Sequence, residues 1–95
     1  MATFVLICID RPDALELRLA TRQAHFDYLA ANPGVVRLGG PFLNAAGEMA
    51  GSLLLIEADD LAAAEAFGAA DPYRLAGLFE RVEIRPWRAT VGQLP

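Results

Sequence analysis

Val35–Ala58, VVRLGGPFLNAAGEMAGSLLLIEA, is the stretch whose reading decides the fold. Two apolar runs, 35–43 and 49–58, flank Asn44-Ala45-Ala46-Gly47, which has the composition of a turn. Short runs rich in Val, Leu and Ile and bounded by turn residues read as strands, so the stretch is predicted to be a hairpin. Leu53-Leu54-Leu55-Ile56 is apolar without alternation, which predicts a strand buried on both faces. Gly39-Gly40-Pro41 interrupts the first run. Glycines inside a strand mark a bulge or a close approach to the backbone.

Upstream of the hairpin, residues 14–31 are predicted to be helical, and Asn32-Pro33-Gly34 stops them. Leu15, Leu19, Phe26 and Leu29 recur at helical spacing and form the expected core stripe, with Arg18, Arg22 and His25 together on its flank. Earlier still, residues 3–9 (TFVLICI) read as a doubly buried strand that ends at Asp10-Arg11-Pro12-Asp13, where Pro12 or Asp13 opens the helix. Downstream, Asp59 or Asp60 caps a helix over 61–70 that packs through Leu61, Ala64 and Phe67. Asp71-Pro72-Tyr73 breaks it, and 72–77 is a further helical turn ending at Gly77. Residues 79–87 are the last strand: Val82 and Ile84 alternate with Arg81, Glu83 and Arg85, and Pro86 suits an edge position or strand end.

The order β-α-β-β-α-β is the ferredoxin-like split βαβ plan of the α+β class, an antiparallel sheet with two helices on one face, and 95 residues make one domain over 1–95. The chain is 55% hydrophobic, more than a small monomer hides easily. Two helices leave one sheet face bare, so a homodimer through the sheet faces is expected, with Trp87 buried there or under a helix and the tail to Pro95 free to wrap on the partner or fray.

The formal net charge is −4, and the eight basic residues, all arginine, are scattered, so nucleic acid is not an expected partner. One cysteine, Cys8, excludes an internal disulfide and sits in an apolar run where an inert, buried thiol is expected. No signal-peptide pattern and no apolar run of about 20 residues is seen, so the expectations are no membrane partner and a cytoplasmic location.

His25 is the single histidine, the one side chain whose ordinary pKa lies near neutrality. In the split βαβ plan the end of the second helix shares its side of the sheet with the first. Asp71 can therefore orient His25 as a general acid/base pair, or else His25 is a partly exposed helix residue and Asp71 a plain turn former. Arg18 and Arg22 can hold a carboxylate or phenolate beside His25, or form a solvated flank. Asp10 can pair with either arginine or be a turn residue. Gly40, Ser52 and their neighbours Gly39 and Gly51 offer room for a ligand beneath that flank, and Tyr28 and Tyr73 can line a pocket or pack in the core. Ser52 has no adjacent base and is not read as a nucleophile.

Taken in order, these residues resemble the YCII-related (YciI-like) family. The resemblance is carried by Asp10-Arg11-Pro12, Arg18-x-x-x-Arg22-x-x-His25-Phe26-x-x-Leu29, Gly34, Gly40-Pro41, Gly51-Ser52, Asp71-Pro72-Tyr73 and Pro86-Trp87. Phe26 replaces a leucine often found after the histidine. The family is similar in fold to the dimeric α+β barrels, which include muconolactone isomerases and antibiotic-biosynthesis monooxygenases. The resemblance implies a histidine–aspartate pair in a cleft, His25 with Asp71, and one branch of the family is associated with dehydrochlorination of a chlorinated hydroxyquinol.

Two functional expectations follow. One is a small cofactor-independent enzyme: His25 and Asp71 do acid/base chemistry of the elimination or isomerisation type, and Arg18, Arg22, Asp10, Gly40, Ser52 and Tyr73 form the binding site for a small anionic or phenolic molecule. No metal or cofactor is expected. The other is a non-catalytic ligand-binding or assembly module. An enclosed pocket and a short His25–Asp71 contact favour the first, and an exposed, partnerless His25 the second.

Overall fold

The computed structural model describes residues 1–92, and the last residues of the expected wrapping tail, 93–95, lie outside them. The elements are β1 (Ala2–Asp10), α1 (Leu15–Ala30), β2 (Val36–Leu43), β3 (Met49–Ala58), α2 (Leu61–Ala69), α3 (Pro72–Leu75) and β4 (Phe79–Pro86). The strands form one antiparallel sheet in the order β2-β3-β1-β4, which is the split βαβ arrangement. The β2–β3 hairpin turns where expected: Asn44 Oδ1 accepts from the Ala46 and Glu48 amides, and Gly47 takes φ +80°.

The register explains the core. Phe4 pairs with Ile56, Leu6 with Leu54 and Cys8 with Ser52. Side chains alternate across a strand, so all six point to one face. There Phe4, Leu6, Cys8, Leu54 and Ile56 cluster with Ala64 of α2, with Val82 and Ile84 packed against them. α2 thus packs through Ala64 and Gly68 with Phe67 half-buried, while Leu61, expected inside, is 42% exposed. Asp60, one of the two expected caps, accepts from the Ala63 amide at 2.8 Å.

α1 corrects two expectations. Its first turn begins after Ala14 with no side-chain cap, and Asp13 instead takes φ +56°, the left-handed conformation that aspartate tolerates better than most residues. Its inner stripe is also not the apolar one. Leu19 and Phe26 are 50% and 46% exposed, whereas Arg18 and His25 are buried. The inner seam runs Ala14, Arg18, Thr21, His25, Tyr28, with steps of four and three. Arg18 and His25 occupy it because each finds a buried carboxylate. His25 is therefore not a partly exposed flank residue.

Pro86 ends the edge strand β4, opposite Phe4. Trp87, expected to be buried, is 42% exposed in the single chain. The register shifts of β2 fall between Val36 and Leu38 and between Phe42 and Leu43, on either side of Gly39-Gly40-Pro41. Gly51 leaves no room for a ligand. A Cβ there would sit 2.5 Å from the Cys8 carbonyl oxygen and 3.0 Å from the Phe42 ring, so the chain itself fills the space. No helix among the described residues is long and apolar enough to cross a membrane.

Candidate active site

Two buried carboxylate contacts, at Arg18 and His25, stand seven residues apart on α1. At the first, Asp10 closes β1 beside a register shift between Ile9 and Asp10, and its carboxylate turns to the helix-covered face. Arg18 Nε donates to Asp10 Oδ2 at 2.7 Å and Nη2 to Oδ1 at 3.0 Å, a planar two-pronged grip. Nη2 also donates to Ser52 Oγ on β3 at 2.8 Å. Burial works against the Arg18 charge, but the bond to Asp10 and its charge outweigh it and hold the guanidinium above its ordinary pKa.

At the second pair, His25 Nδ1 lies 2.9 Å and 3.0 Å from the two oxygens of Asp71. Asp71 is also the N-cap of α3, where Oδ1 accepts from the Tyr73 amide at 2.9 Å and Pro72 fills the first helical position. The break between α2 and α3 therefore delivers the carboxylate to the helix flank. An ionised carboxylate only accepts, so it assigns the proton to Nδ1 and leaves Nε2 with its lone pair.

Tyr73 joins the two pairs. Its ring stacks on the His25 imidazole at 4.1 Å and 17°, and the Arg18 guanidinium carbon lies 4.6 Å from its centroid. The guanidinium and the imidazole are thus within about 9 Å of each other. Burial pushes the Tyr73 phenol up, with the charges of Arg18 and Arg22 pulling the other way.

A cavity of about 150 Å³ opens between α1, β2 and β3. Arg18, His25, Ser52 and Tyr73 form its polar wall, and Phe26, Leu29, Pro41, Met49 and Leu54 contribute the apolar one. Gly40 lines it too, and a Cβ there would meet nothing within 4 Å. Arg22 is exposed and lines the same cavity, its guanidinium carbon 5.3 Å from the Phe26 ring centroid. Asp10 and Asp71 are not cavity walls, because each sits behind the side chain it holds. Asp10 is thus placed to orient Arg18, not to touch a ligand. Tyr28 packs outside the site: its hydroxyl donates to the Phe67 carbonyl at 2.7 Å.

The apolar wall is not legible in the residue pattern. Phe26 and Leu29 read as core, yet they face the cavity. The signal lies in the helix itself, since two arginines and a histidine among apolar neighbours make equal sense with the polar side turned inward. Cys8, also buried on this face, is inert: burial, aided by the charge of Asp71, pushes its thiol up to about 12. Among the described residues no group of three or more His, Cys, Asp or Glu side chains could hold a metal ion.

With this geometry in hand, the relatives are informative. Protein YciI of Escherichia coli O6:H1 is 35% identical over 94 residues, spanning 90% of this chain and 95% of the relative. The structure of 5-chloro-2-hydroxyhydroquinone dehydrochlorinase from Burkholderia phenoliruptrix, in complex with 2,5-dihydroxybenzoquinone, is similar with a TM-score of 0.87 and 31% identity, over 93% of this chain and 95% of that one. An antibiotic biosynthesis monooxygenase shares the fold alone, with a TM-score of 0.58 and 12% identity over 96% of this chain and 100% of the other. The model of the YCII-related domain matches residues 2–88, and the chain belongs to that family.

Proposed function

We propose that this protein is a small cofactor-independent enzyme that removes or relocates a proton on a small anionic or phenolic substrate. One observation carries the reading: His25 is buried, fixed through Nδ1 to Asp71, and lines a cavity of about 150 Å³. That is the geometry of a general base with an orienting carboxylate. Nε2 takes the substrate proton, Asp71 stabilises the imidazolium that forms, and the same proton returns to substrate or leaves with an expelled anion. Arg18, held by Asp10, and Arg22 supply positive charge for the substrate oxygen, and the apolar wall takes its ring. A similar protein, the dehydrochlorinase, binds a dihydroxybenzoquinone, which favours a phenolic substrate and elimination here.

The test is turnover with a panel of chlorinated and unchlorinated hydroquinones, following ring absorbance and chloride release. The wild-type chain is expected to act on at least one. His25→Gln should lower kcat by about 10²–10⁴ with an intact circular dichroism spectrum. Turnover equal to wild type in His25→Gln would end the reading.

A homodimer through the open sheet face completes the proposal. The pleat turns Val5, Ile7, Ile9, Leu53 and Leu55 away from the helices; Val5 and Leu55 are buried in the single chain, and Ile7, Ile9 and Leu53 are half-buried. A sheet face this apolar calls for a cover, and a second copy presents a matching one. Sedimentation equilibrium is expected to give a dimer at micromolar concentration and a monomer for Leu53→Glu. A wild-type monomer would remove the dimer.

A further inference from the structure

Arg22 is a charged side chain on the cavity that neither buried carboxylate contact uses. At about 100° per residue it projects about 40° round α1 from Arg18, and Phe26 about 80°. Exposure follows the same order: Arg18 is buried, Arg22 is exposed and Phe26 is 46% exposed, yet all three line one cavity. Arg22 and Phe26 therefore form the outer lip on α1. Gly39, Gly40 and Pro41, all exposed, form the lip on β2, which carries no charge. Arg22 also has no carboxylate of its own. Its neighbours one turn away are Arg18, Leu19, His25 and Phe26, none of them acidic, and no Asp or Glu lines the cavity. Asp10 and Asp71 are committed to Arg18 and His25. Among the described residues Arg22 makes no ion pair, and its guanidinium rests instead over the Phe26 ring. Its charge is felt inside the cavity, where it pulls against the upward shift of the buried Tyr73 phenol.

We propose that Arg22, steadied on the Phe26 ring, binds a second anionic group of the substrate at the cavity mouth, a carboxylate carried across the ring from the reacting hydroxyl. The protein thereby prefers phenolic acids to uncharged phenols. The inference rests on the acid/base reading for the place of the hydroxyl at His25, and adds to it a substrate class and a specificity-determining pair. The distances suit a single ring. The Phe26 centroid lies 5.6 Å from the imidazole centroid and 5.3 Å from the Arg22 guanidinium carbon, so base and cation are within about 11 Å of each other. A phenol with a carboxylate opposite its hydroxyl is on that scale. Arginine presents a planar fork that matches the two oxygens of a carboxylate. Because Arg22 is exposed, solvent and salt screen the pair, so it ranks ligands without supplying all of their affinity.

The probes are 4-hydroxybenzoate, ionised at its carboxylate near neutral pH, and 4-hydroxybenzamide, its uncharged counterpart of the same shape. Binding is followed by isothermal titration calorimetry. The wild-type chain is expected to bind the acid roughly tenfold more tightly than the amide at low salt, a preference that shrinks in about 0.5 M salt. Arg22→Gln should erase the preference by weakening the acid alone, and Arg22→Lys should keep part of it. Phe26→Leu, which keeps an apolar side chain but removes the ring face under the guanidinium, should reduce it. Both positions are exposed, so the circular dichroism spectra should not change. The proposal is overturned by a wild-type chain that binds neither probe or both equally. It is also overturned by a preference that survives in Arg22→Gln or stays whole in Phe26→Leu, and by equal losses of both probes in Arg22→Gln. The two readings fail separately. Arg22-dependent preference for the acid in a chain that turns over no phenol keeps the anion site and removes the enzyme. His25-dependent turnover in a chain that binds acid and amide alike keeps the enzyme and removes the anion site.

Discussion

Replacing Asp71 by asparagine is the sharpest perturbation of the site, because it changes one atom and one charge. The carboxylate now accepts from His25 Nδ1 at 2.9 Å and from the Tyr73 amide at 2.9 Å. The substituted side chain can keep the second bond through its carbonyl oxygen, so the cap of α3 survives. Its NH₂ group then stands where Oδ2 was, 3.0 Å from His25 Nδ1, and competes there with the carbonyl oxygen at 2.9 Å. Where the NH₂ group donates to Nδ1, that nitrogen accepts, the ring proton moves to Nε2, and Nε2 has no lone pair to offer a substrate. Loss of the charge-assisted bond is expected to cost about 1.5–3 kcal/mol of stability if the imidazole is charged and less if it is neutral. Loss of the right tautomer is expected to lower kcat by about 10⁴, the scale seen when the orienting carboxylate of a serine-protease triad is replaced by its amide. The tautomer can be read directly from ¹⁵N shifts of the imidazole, and the single histidine gives one unambiguous set of resonances. The wild-type chain should carry its proton on Nδ1 and Asp71→Asn should carry it on Nε2. The same tautomer in both chains would refute the orienting role of Asp71, whatever the substrate proves to be.

Other outcomes follow from burial and charge. Arg18→Met leaves the Asp10 carboxylate buried without its partner and should cost about 3–5 kcal/mol in urea unfolding, with Asp10→Asn/Arg18→Met recovering part of it. Leu6→Ala, at a 2% exposed core position, should cost about 2–5 kcal/mol, while Phe26→Ala, at a 46% exposed position, should cost about 1 kcal/mol in unfolding. Equal losses at the two sites would show that Phe26 is covered in the native assembly. Burial pushes Cys8 from an ordinary value of 9.0 up to about 12, so above pH 9 the unfolded chain loses a proton that the folded chain keeps. Stability should therefore be unaffected by Cys8 below pH 9 and fall between pH 9 and 12. Cys8→Ala should flatten that limb, a difference that urea titrations at pH 8 and pH 11 would reveal.

How far the sequence reached can be judged residue by residue. The short apolar runs, the turn at Asn44–Gly47 and the break at Asp71-Pro72 are local signals, so order, sheet class and element bounds were legible to within a residue or two. The face of α1 was not. Leu19 and Phe26 look like core in a helical projection, and Arg18 and His25 look like surface. Which stripe turns inward depends on what waits beneath it, and the two carboxylates that make a charged stripe tolerable lie 8 and 46 positions away in the chain. Pairing Asp71 with His25 required the family resemblance as well as the topology. The place of Asp10 behind Arg18, the bond from Arg18 to Ser52 and the Tyr73 ring shared by guanidinium and imidazole are properties of packing alone. Hydrophobic pattern and turn chemistry are written in near neighbours along the chain, whereas the energy of a buried charge is set by groups that only the closed fold brings within 3 Å of it.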